Sequence, residues 1–580
     1  MRLIDYAVGS ALAAAAVGVA HAQVANPWDI THYNASTYTN TYISGSTAVD
    51  NSITNTMAGV TDGICATTVS GGVTISTLSV YYVHGNAGAS DNTSSPSNFT
   101  NRVLTCLANG KGGLASGTPI AVFKESVVGS ANGVEPLEAV AEGSASKLNF
   151  INAAKMDSDT AGGLEGDCAS GDLHASSSLP AADGGTLEVY EYSEYYGCPS
   201  DSVPTTGVAI PTGGVADVEA TLLNDPSTNS PIPTSGLAYL TAKAGYDTIW
   251  GVPISKAAYY ALQTAEGLTS KCPTVNGNQN LDSPTCAPSL TKAQVAGLYT
   301  GSLNTWNLIG GLSNPSGDNN VYLCRRDYGS GTEGSFEAYF LGARCGKTPG
   351  GSSLSMQVEN GTTVWANPST GTILNCMETM QQGGTLTAYY SNTTEAVSAG
   401  KWAIGISSTE LKESQLTGAD DSIRFVAVDG VLPSLANTIN GYWPYFSTDG
   451  IYHITSVAAG VSSSVIPSGG PLEVFTYLTG LFGATEFMEL NDTAYGIETF
   501  PYPSGTANLN GGDATPASKN AGGASPLPVT TAVALTNPSN VWDKASSGTV
   551  DNCDTPAYSV NAPGNAPAES TLLGGGSINQ

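Results

Sequence analysis

The chain has 580 residues, of which 41% are hydrophobic and only 12% are charged. This length and hydrophobic content exclude wholesale disorder and predict two to four domains, or one large body with insertions. The formal net charge of -29 comes from 48 acidic and 19 basic residues, so no extended basic patch exists to neutralise phosphates. Nucleic acid and anionic membranes are therefore excluded as partners, whereas a small anion depends on local hydrogen-bond donors.

The first 22 residues have the pattern of a signal peptide. Arg2 precedes an apolar run from Ala11 to Ala20, and Ala20-His21-Ala22 forms a small-residue cleavage site. This run is shorter than the roughly 18–20 apolar residues of a membrane helix, and no later stretch reaches that length. No cysteine follows the cleavage site to accept a lipid. We therefore predict a periplasmic or secreted protein with no membrane insertion.

Ten cysteines in an exported chain predict disulfide bonds. Sequence order suggests three local pairs, namely Cys65–Cys106, Cys168–Cys198 and Cys272–Cys286. Four cysteines cannot be paired from the sequence: Cys324, Cys345, Cys376 and Cys553. No CxxC motif occurs and the five histidines are scattered, so we expect neither a metal site nor another cofactor.

The order of strand and helix signals indicates an α/β fold. Strand signals occur at 73–83 and 119–123, where β-branched and aromatic residues cluster between glycine-rich breaks. From residue 247 a strand pattern to residue 254 is followed by an amphipathic helix pattern over 256–267. Such alternation is typical of largely parallel or mixed sheets. Residues 501–580 are poor in large apolar side chains and predict a low-complexity tail.

One segment, Arg325 to Thr332, carries the strongest chemical signal. It follows a predicted strand and precedes a predicted helix, so its turn directs backbone N–H groups and the positive end of a helix dipole at one point. Ser330 and Thr332 add hydroxyl donors, and an arginine supplies a planar charged fork for an oxyanion. A plain helix N-cap with a surface arginine is the alternative.

Three other turns at predicted strand ends resemble this one in composition. They cover 45–48, 128–134 and 213–219, and each taken alone is common in a chain rich in glycine and serine. Open α/β sheets place ligands at the strand ends. Asp217, in the third turn, has a carboxylate that accepts the proton of a hydrogenphosphate and rejects fully ionised sulfate. The alternative is a solvated acidic turn.

Taken in order, the four segments resemble the periplasmic phosphate-binding proteins of bacterial ABC importers. That family has a G-x-T turn, a G-S-x-G-G turn, an F-G-x-S-D turn and an R-x-D-G-S-G-T turn. Later matches at 289–306, 403–406 and 428–433 extend the resemblance over about 41–450. Carried over to this sequence, the resemblance implies a set of ligand-binding residues: Thr47, Ala48, Ser130, Asp217, Arg326, Ser330, Gly331 and Thr332.

The resemblance also implies a fold and a function. The expected fold is the type II periplasmic-binding-protein fold, with a hinge and a ligand cleft between two α/β lobes. Lobe I would combine 38–245 with 410–500, and lobe II would span 250–405. The expected function is capture of an oxyanion, inorganic phosphate first, without catalysis and with an ABC importer permease as partner.

The sequence departs from the family pattern at several positions. Ala48 stands where the family often has an aromatic residue, the second turn is altered at Ala131-Asn132, and Ala216 replaces a hydroxyl residue. Glu125, near the second turn, would oppose an anion if it pointed inward. Two other functions stay open: a secreted or cell-surface adhesion protein that reuses the fold, and a phosphate-ester hydrolase with Ser330 as nucleophile. The sequence has no G-x-S-x-G, P-loop or H-E-x-x-H motif to favour an enzyme.

Overall fold

The computed structural model describes most of the chain between residues 33 and 482, together with short strands near the C-terminus. The described ranges are 33–47, 49–58, 63–70, 73–84, 101–126, 129–144, 148, 150, 173–180, 186–196, 209–226, 228–275, 277–344, 354–409, 422–433, 437–438, 442–482, 542–543, 545–546, 549–550 and 557–558. The predicted signal peptide and the Cys168–Cys198 pair lie outside the described residues. Ala48, Cys345 and Cys553 lie outside them as well.

An 11-stranded mixed sheet, the large sheet, forms one part of the fold. Its centre is the strand Thr39–Gly45, which pairs in parallel with Pro119–Glu125 and with Gly213–Ala216. The strand Pro119–Glu125 carries the buried apolar run Ile120 to Phe123, as expected for a strand covered on both faces, whereas the buried residues of Thr39–Gly45 include Thr41 and Ser44. The remaining strands are Ser407–Ser408, Leu240–Gly251, Phe446–Ile454, Asn101–Leu107, Val73–His84, Thr67–Ser70, Thr186–Tyr196 and Leu173–Pro180.

A second sheet of five strands, the small sheet, has the order Val364–Asn367, Tyr322–Arg326, Ala403–Gly405, Pro253–Ser255 and Ile423–Phe425. Its first three strands are parallel, and Pro253–Ser255 runs antiparallel to both of its neighbours. The two sheets with the helices around them confirm the predicted α/β class. The last strand belongs to 410–500, which the sequence resemblance assigned to lobe I, so this stretch of chain contributes to both sheets.

The described α-helices connect the strands and cover the sheets. Two of them begin with a capping box, at Thr291 with Gln294 and at Ser369 with Thr372, in which each side chain bonds the other residue's backbone N–H. Gly301, with a φ of 76°, ends the helix that Thr291 begins. The helices are Asp50–Ala58, Glu135–Ala141, Lys256–Ala265, Lys292–Thr300, Gly331–Phe336, Thr370–Gln382 and Gly469–Gly480.

The chain passes directly from one sheet to the other at two adjacent places. The long strand Leu240–Gly251 of the large sheet leads through Val252 into Pro253–Ser255 of the small sheet. The return runs from Ala403–Gly405 through Ile406 into Ser407–Ser408, which pairs with Gly251 and Trp250. Both linking residues are fully buried.

Four buried tryptophans mark the core around these connections. Trp250, Trp306, Trp402 and Trp443 are each at most 2% exposed and belong to one hydrophobic cluster. The indole N–H of Trp306 donates to the Trp402 carbonyl at 3.0 Å, and the indole N–H of Trp443 donates to the Trp250 carbonyl at 3.0 Å. Buried indoles need such partners, so the cluster orients as well as packs these strands.

Three disulfides lie within the described residues. Cys65–Cys106 and Cys272–Cys286 are the pairs that sequence order predicts, and both predictions are confirmed. The third joins Cys324 to Cys376, two cysteines that the sequence alone left unpaired. It ties the strand Tyr322–Arg326 to the helix Thr370–Gln382. Within the described part of the chain, no helix has the length and apolar character that crossing a membrane requires.

A buried carboxyl group, Glu138, lies in the helix Glu135–Ala141. The residue is 4% exposed, and neither carboxyl oxygen has a hydrogen-bond partner among the described residues. Burial, followed by the charges of Glu142 and Glu135, raises the pKa of Glu138 to about 8, and the backbone N–H of Leu237 acts to lower it. An acid whose pKa is raised on folding stabilises the fold below its unfolded-state pKa, and that contribution is lost as pH rises through the folded-state pKa.

We therefore expect Glu138→Gln to flatten the dependence of stability on pH. The melting temperature of the parent should fall between about pH 5 and pH 8 relative to the variant, because a buried carboxylate without partners costs about 1–3 kcal/mol. Thermal unfolding at several pH values measures this slope. Glu395→Gln, a change of an exposed glutamate that is not among the charges acting on Glu138, is the control and should keep the parent's slope. Equal slopes for the parent and Glu138→Gln would contradict the prediction.

Candidate functional site

Three turns of the large sheet emerge at one edge. Because Thr39–Gly45 is parallel to both neighbours, with Ser44 opposite Glu125 and Gly214, the carboxyl ends of the three strands meet there. Gly45 has a φ of 109°, and a Cβ atom at this position would lie 2.0 Å from the Val215 carbonyl oxygen. Only glycine fits at residue 45, because the backbone of the neighbouring strand approaches it closely.

Asp217 is the centre of this edge. It is 3% exposed, and its carboxylate accepts hydrogen bonds from the hydroxyls of Ser46 and, at 3.4 Å, Thr332. Its backbone N–H donates to the Ser130 hydroxyl at 3.0 Å. Three residues from distant places in the sequence therefore bond to Asp217, two of them to its carboxylate and Ser130 to its backbone, so the four turns converge.

Arg326 comes from the small sheet and is 2% exposed. Its Nη1 donates to the Thr332 hydroxyl at 3.1 Å, while Nε and Nη2 donate to the carbonyls of Asn367 at 3.2 Å and Pro368 at 3.0 Å. These two carbonyls fix the plane of the guanidinium at the end of its strand. The arrangement leaves a charged fork beside Asp217, with Thr332 between the two charges.

The turn after Arg326 starts a helix, as the sequence predicts. Ser330 is its N-cap and accepts from the Glu333 N–H at 3.4 Å, so the N-cap alternative for this serine is also present. A Cβ atom on Gly331 would lie 2.6 Å from the Ser130 hydroxyl oxygen and 2.9 Å from Asp217 Cβ. The first turn of the helix, whose N–H groups lack intrahelical acceptors, is thus pressed against Ser130 and Asp217.

Direct hydrogen bonds join the turns of the two sheets. The Ala131 N–H donates to the Gly329 carbonyl at 2.9 Å, and Arg344 Nη1 donates to the Leu222 carbonyl at 2.6 Å. Nothing in the sequence pattern indicated these two contacts. The first bond holds the second turn against the turn that carries Ser330 and Gly331, and the second bond joins the segment after Asp217 to the chain beyond the following helix.

In the first turn, the hydroxyl that contacts Asp217 belongs to a different residue from the one the family resemblance implies. Ser46 is fully buried and contacts the carboxylate, whereas Thr47 is half-buried and its carbonyl accepts from the Asp50 N–H at 3.2 Å. Ala48 lies outside the described residues. The predicted positions Ser130, Asp217, Arg326, Ser330, Gly331 and Thr332 lie together, and their role in ligand binding stays a prediction. Ser46 is the variable residue of the G-x-T pattern, so only its hydroxyl and its position could have drawn attention to it.

A buried charge network supports the first turn from behind. Lys124, fully buried, donates to the carbonyls of Gly45 at 2.9 Å and Ser46 at 3.0 Å and lies 3.2 Å from Asp50 Oδ1. Arg102 contacts the other oxygen of Asp50 at 3.1 Å. Burial lowers the pKa of Lys124, while Asp50 acts in the opposite direction. The network fixes the two carbonyls and so sets the direction of the Ser46 hydroxyl.

The electrostatics of the centre follow from burial. Burial raises the pKa of Asp217, and the hydrogen bond from Ser46 and the charge of Arg326 partly offset that rise. Burial likewise lowers the pKa of Arg326, against the charges of Asp327 and Asp217. A buried acceptor and a buried cation a few ångströms apart can hold a protonated oxyanion, whose oxygens bind the cation and whose hydroxyl donates to the acceptor.

Aromatic side chains stand beside Arg325 and Arg326, and the Arg325 guanidinium lies 4.6 Å from the centroid of the Tyr328 ring. Tyr328 and Tyr390 stack at 4.6 Å between ring centroids, and the Tyr328 N–H donates to the Tyr390 hydroxyl at 2.7 Å. The carboxylate of Glu359 holds their loop by accepting from the N–H groups of Tyr389 at 2.9 Å and Tyr390 at 2.8 Å. Tyr389 is half-buried, in the electrostatic range of Arg326.

We expect Ser46→Ala to weaken oxyanion binding more than Thr47→Ala does. Removal of the Ser46 hydroxyl takes a donor from buried Asp217, which costs about 1–2 kcal/mol, or roughly tenfold in affinity. Thr47→Ala removes a hydroxyl that is only half-buried and should cost less than about threefold. Calorimetric titration with phosphate compares the two variants. A larger loss in Thr47→Ala would restore the ligand assignment that the family pattern implies.

Comparison with known proteins gives similarity to solved structures alone. No family model and no curated protein matches the chain. The chain is similar to a candidate phosphate ABC transporter substrate-binding protein with bound phosphate from Clostridium perfringens, at 15% identity and a TM-score of 0.26, covering 48% of this chain and 74% of that one.

It is also similar to an ABC-type phosphate transport receptor from Vibrio cholerae, at 14% identity and a TM-score of 0.25, covering 50% of this chain and 82% of that one. A third similar structure is PstS from Borrelia burgdorferi, at 10% identity and a TM-score of 0.22, covering 46% of this chain and 75% of that one. Because these TM-scores are low, the function has to be inferred from the chain's own contacts. Among the described residues, no three His, Cys, Asp or Glu side chains are grouped to hold a metal.

Proposed function

We propose that the chain is an exported solute-binding protein that holds an oxyanion, inorganic phosphate first, without transforming it. One observation carries the proposal: buried Asp217 accepts from Ser46 and Thr332, and Thr332 in turn accepts from buried Arg326. An acceptor and a cation linked through a hydroxyl have the donors and the acceptor that a hydrogenphosphate needs. A charge buried without partners costs much free energy, so a site that binds a charged ligand has to surround it with hydrogen-bonding groups. The hydroxyls and the guanidinium around Asp217 are such groups.

The proposed ligand lies where the turns of the two sheets meet. Ser46, Ser130 and Asp217 would bind it from the large sheet, and Arg326 and the first turn of the helix Gly331–Phe336 from the small sheet. In this proposal the two sheets are the cores of two lobes, and the adjacent crossings at Val252 and Ile406 form the hinge. The residues 422–433 then belong with lobe II rather than with lobe I. An ABC importer permease is the proposed partner, and the periplasm or the exterior is the proposed location.

Binding is favoured over hydrolysis by the state of Ser330. Its hydroxyl oxygen accepts from the Glu333 N–H as a helix cap, and the residue that precedes it by four is an arginine rather than a base. A serine nucleophile needs an adjacent general base. The Asp217 carboxylate accepts from the hydroxyls of Ser46 and Thr332 rather than from that of Ser330.

Isothermal titration calorimetry of the purified chain with phosphate and sulfate tests the proposal. We expect micromolar or tighter binding of phosphate and much weaker binding of sulfate, with no release of phosphate from a chromogenic phosphate ester. Failure of both anions to bind would refute the oxyanion site. Turnover of the ester that Ser330→Ala abolishes would replace the binding function with a hydrolase.

A further inference from the structure

Arg344 bonds to both sides of the fold at a place where the sequence has no ligand motif. Its side chain is 8% exposed, and its Nε pairs with the carboxylate of Glu337. Its Nη2 lies 4.0 Å from Glu333 Oε1, and its Nη1 donates to the Leu222 carbonyl at 2.6 Å. The two glutamates belong to the side of the small sheet, whereas Leu222 follows Asp217 on the side of the large sheet. One guanidinium therefore connects the two sides.

Two buried carboxylates hold this guanidinium in place. Glu333 is fully buried, lies in the helix Gly331–Phe336 and also pairs with Arg325. Glu337 is buried as well and directly follows that helix. Charges in such surroundings are poorly screened, and a hydrogen bond from a charged donor is stronger than one between neutral groups. The Leu222 carbonyl therefore accepts a strong hydrogen bond from a donor whose position is fixed.

The two sides also approach each other closely at this contact. A Cβ atom on Gly334 would lie 2.6 Å from the Leu222 carbonyl oxygen and 3.5 Å from Arg344 Nη1. Ala338, after the same helix, packs against the hydrophobic cluster that contains Leu222. Arg344 has a φ of 65°, in the left-handed region that non-glycine residues rarely adopt, and such a backbone persists only where surrounding contacts compensate its cost. The contact is therefore both packed and charged.

We propose that Arg344 is a latch, whose bond to the Leu222 carbonyl sets how fast a bound anion leaves and contributes little to its affinity. This inference rests on the proposed function, because it treats the two sides as lobes that separate when the anion leaves. The closed arrangement has hydrogen bonds of its own, since the Thr332 hydroxyl links Arg326 to Asp217. The latch therefore stabilises the closed protein with and without its anion alike, and this common contribution cancels in the affinity but not in the rate of opening.

Two variants remove the latch in independent ways. Arg344→Met keeps the aliphatic part of the side chain and deletes its donors, whereas Gly334→Ala adds a Cβ atom that displaces the Leu222 carbonyl and favours the helix. We expect each variant to release bound phosphate at least about tenfold faster than the parent, because opening no longer breaks one charged hydrogen bond. Displacement of labelled phosphate by excess unlabelled phosphate measures this rate. Calorimetry should give a phosphate affinity within about threefold of the parent's and an unchanged ratio of phosphate to sulfate affinity.

Gly297→Ala is the matched control for the release rate. Gly297 lies within the helix Lys292–Thr300 on the side of the small sheet, and a Cβ atom there would first meet the flexible Leu303 side chain, at 2.8 Å. This variant should release phosphate at the parent's rate. An unchanged release rate in both latch variants, or an equal gain in Gly297→Ala, would overturn the inference. A loss of affinity as large as the gain in rate would also overturn it, since the contact would then form only around the bound anion.

Hydrogen exchange of the anion-free protein tests the latch apart from the proposed function. The Ala131 N–H donates to the Gly329 carbonyl across the two sides, so we expect it to exchange at least about threefold faster in both latch variants. The Leu323 N–H, bonded to the Thr363 carbonyl within the side of the small sheet, should keep the parent's rate. Unchanged exchange at Ala131, or equal acceleration at Leu323, would refute the latch. Failure of the parent to bind any anion would instead refute the oxyanion function.

Discussion

Arg326→Gln should lose phosphate binding by a factor of about 100 or more. Arg326 is the cation that contacts Thr332 beside Asp217, and removal of one partner of a buried charge pair costs about 3–5 kcal/mol, with 1.4 kcal/mol for each tenfold change. Glutamine retains donors for the carbonyls of Asn367 or Pro368 but no charge. Calorimetric titration with phosphate measures the loss.

The control for this change is Arg424→Gln. Arg424 is as deeply buried, pairs with Asp282 in the small sheet and lies outside the group of turns around Asp217. It should lower the melting temperature in the same way as Arg326→Gln but leave phosphate affinity within about threefold of the parent. Phosphate binding by Arg326→Gln at the parent's affinity would show that the guanidinium has a structural role alone.

Asp217→Asn should change selectivity more than affinity. The carboxylate accepts a hydrogen bond from the hydroxyl group of hydrogenphosphate, whereas sulfate has no proton to donate and leaves this acceptor without a partner. An asparagine amide offers donors to either anion, so we expect the ratio of phosphate to sulfate affinity to fall by about 100-fold. Competition of sulfate against bound phosphate gives this ratio.

The pH dependence of the parent offers an internal check on Asp217. Burial raises the pKa of this carboxyl group, so it becomes protonated at a higher pH than an ordinary aspartate. As pH falls through that pKa, the parent should gain sulfate affinity and come to resemble Asp217→Asn. The variant should show no such gain, and a parallel gain in both proteins would assign the effect to another group.

The sequence predicted which residues lie together better than it predicted the contacts among them. Arg326 and Ser330 lie four residues apart in a glycine-rich turn after a strand, and that local spacing is visible without a fold. The contact of Asp217 with Ser46 instead depends on the parallel register of two strands more than 160 residues apart in sequence. Register of this kind is set by packing and by the close approach at Gly45, which no local pattern encodes.

The fold class was predictable from the sequence, whereas the pairing of distant cysteines and strands was not. Alternating strand and helix signals gave the α/β class, and nearest-neighbour order gave Cys65–Cys106 and Cys272–Cys286. Cys324 and Cys376 are 52 residues apart, on a strand and on the helix that covers it, so their proximity exists only after the small sheet has formed. The pairing of Ile423–Phe425 with Pro253–Ser255 has the same origin, because antiparallel closure of a sheet edge leaves no sequence signature.

The hydrogen bond from the Ala131 N–H to the Gly329 carbonyl has a kinetic consequence. If the turns must separate before a guest enters, loading begins with rupture of this bond and of Arg344 from the Leu222 carbonyl. The observed association rate then saturates at high guest concentration, at the frequency with which the turns part. Stopped-flow measurements would reveal such a maximum rate. This maximum would limit how fast the protein can take up a ligand, whatever its affinity.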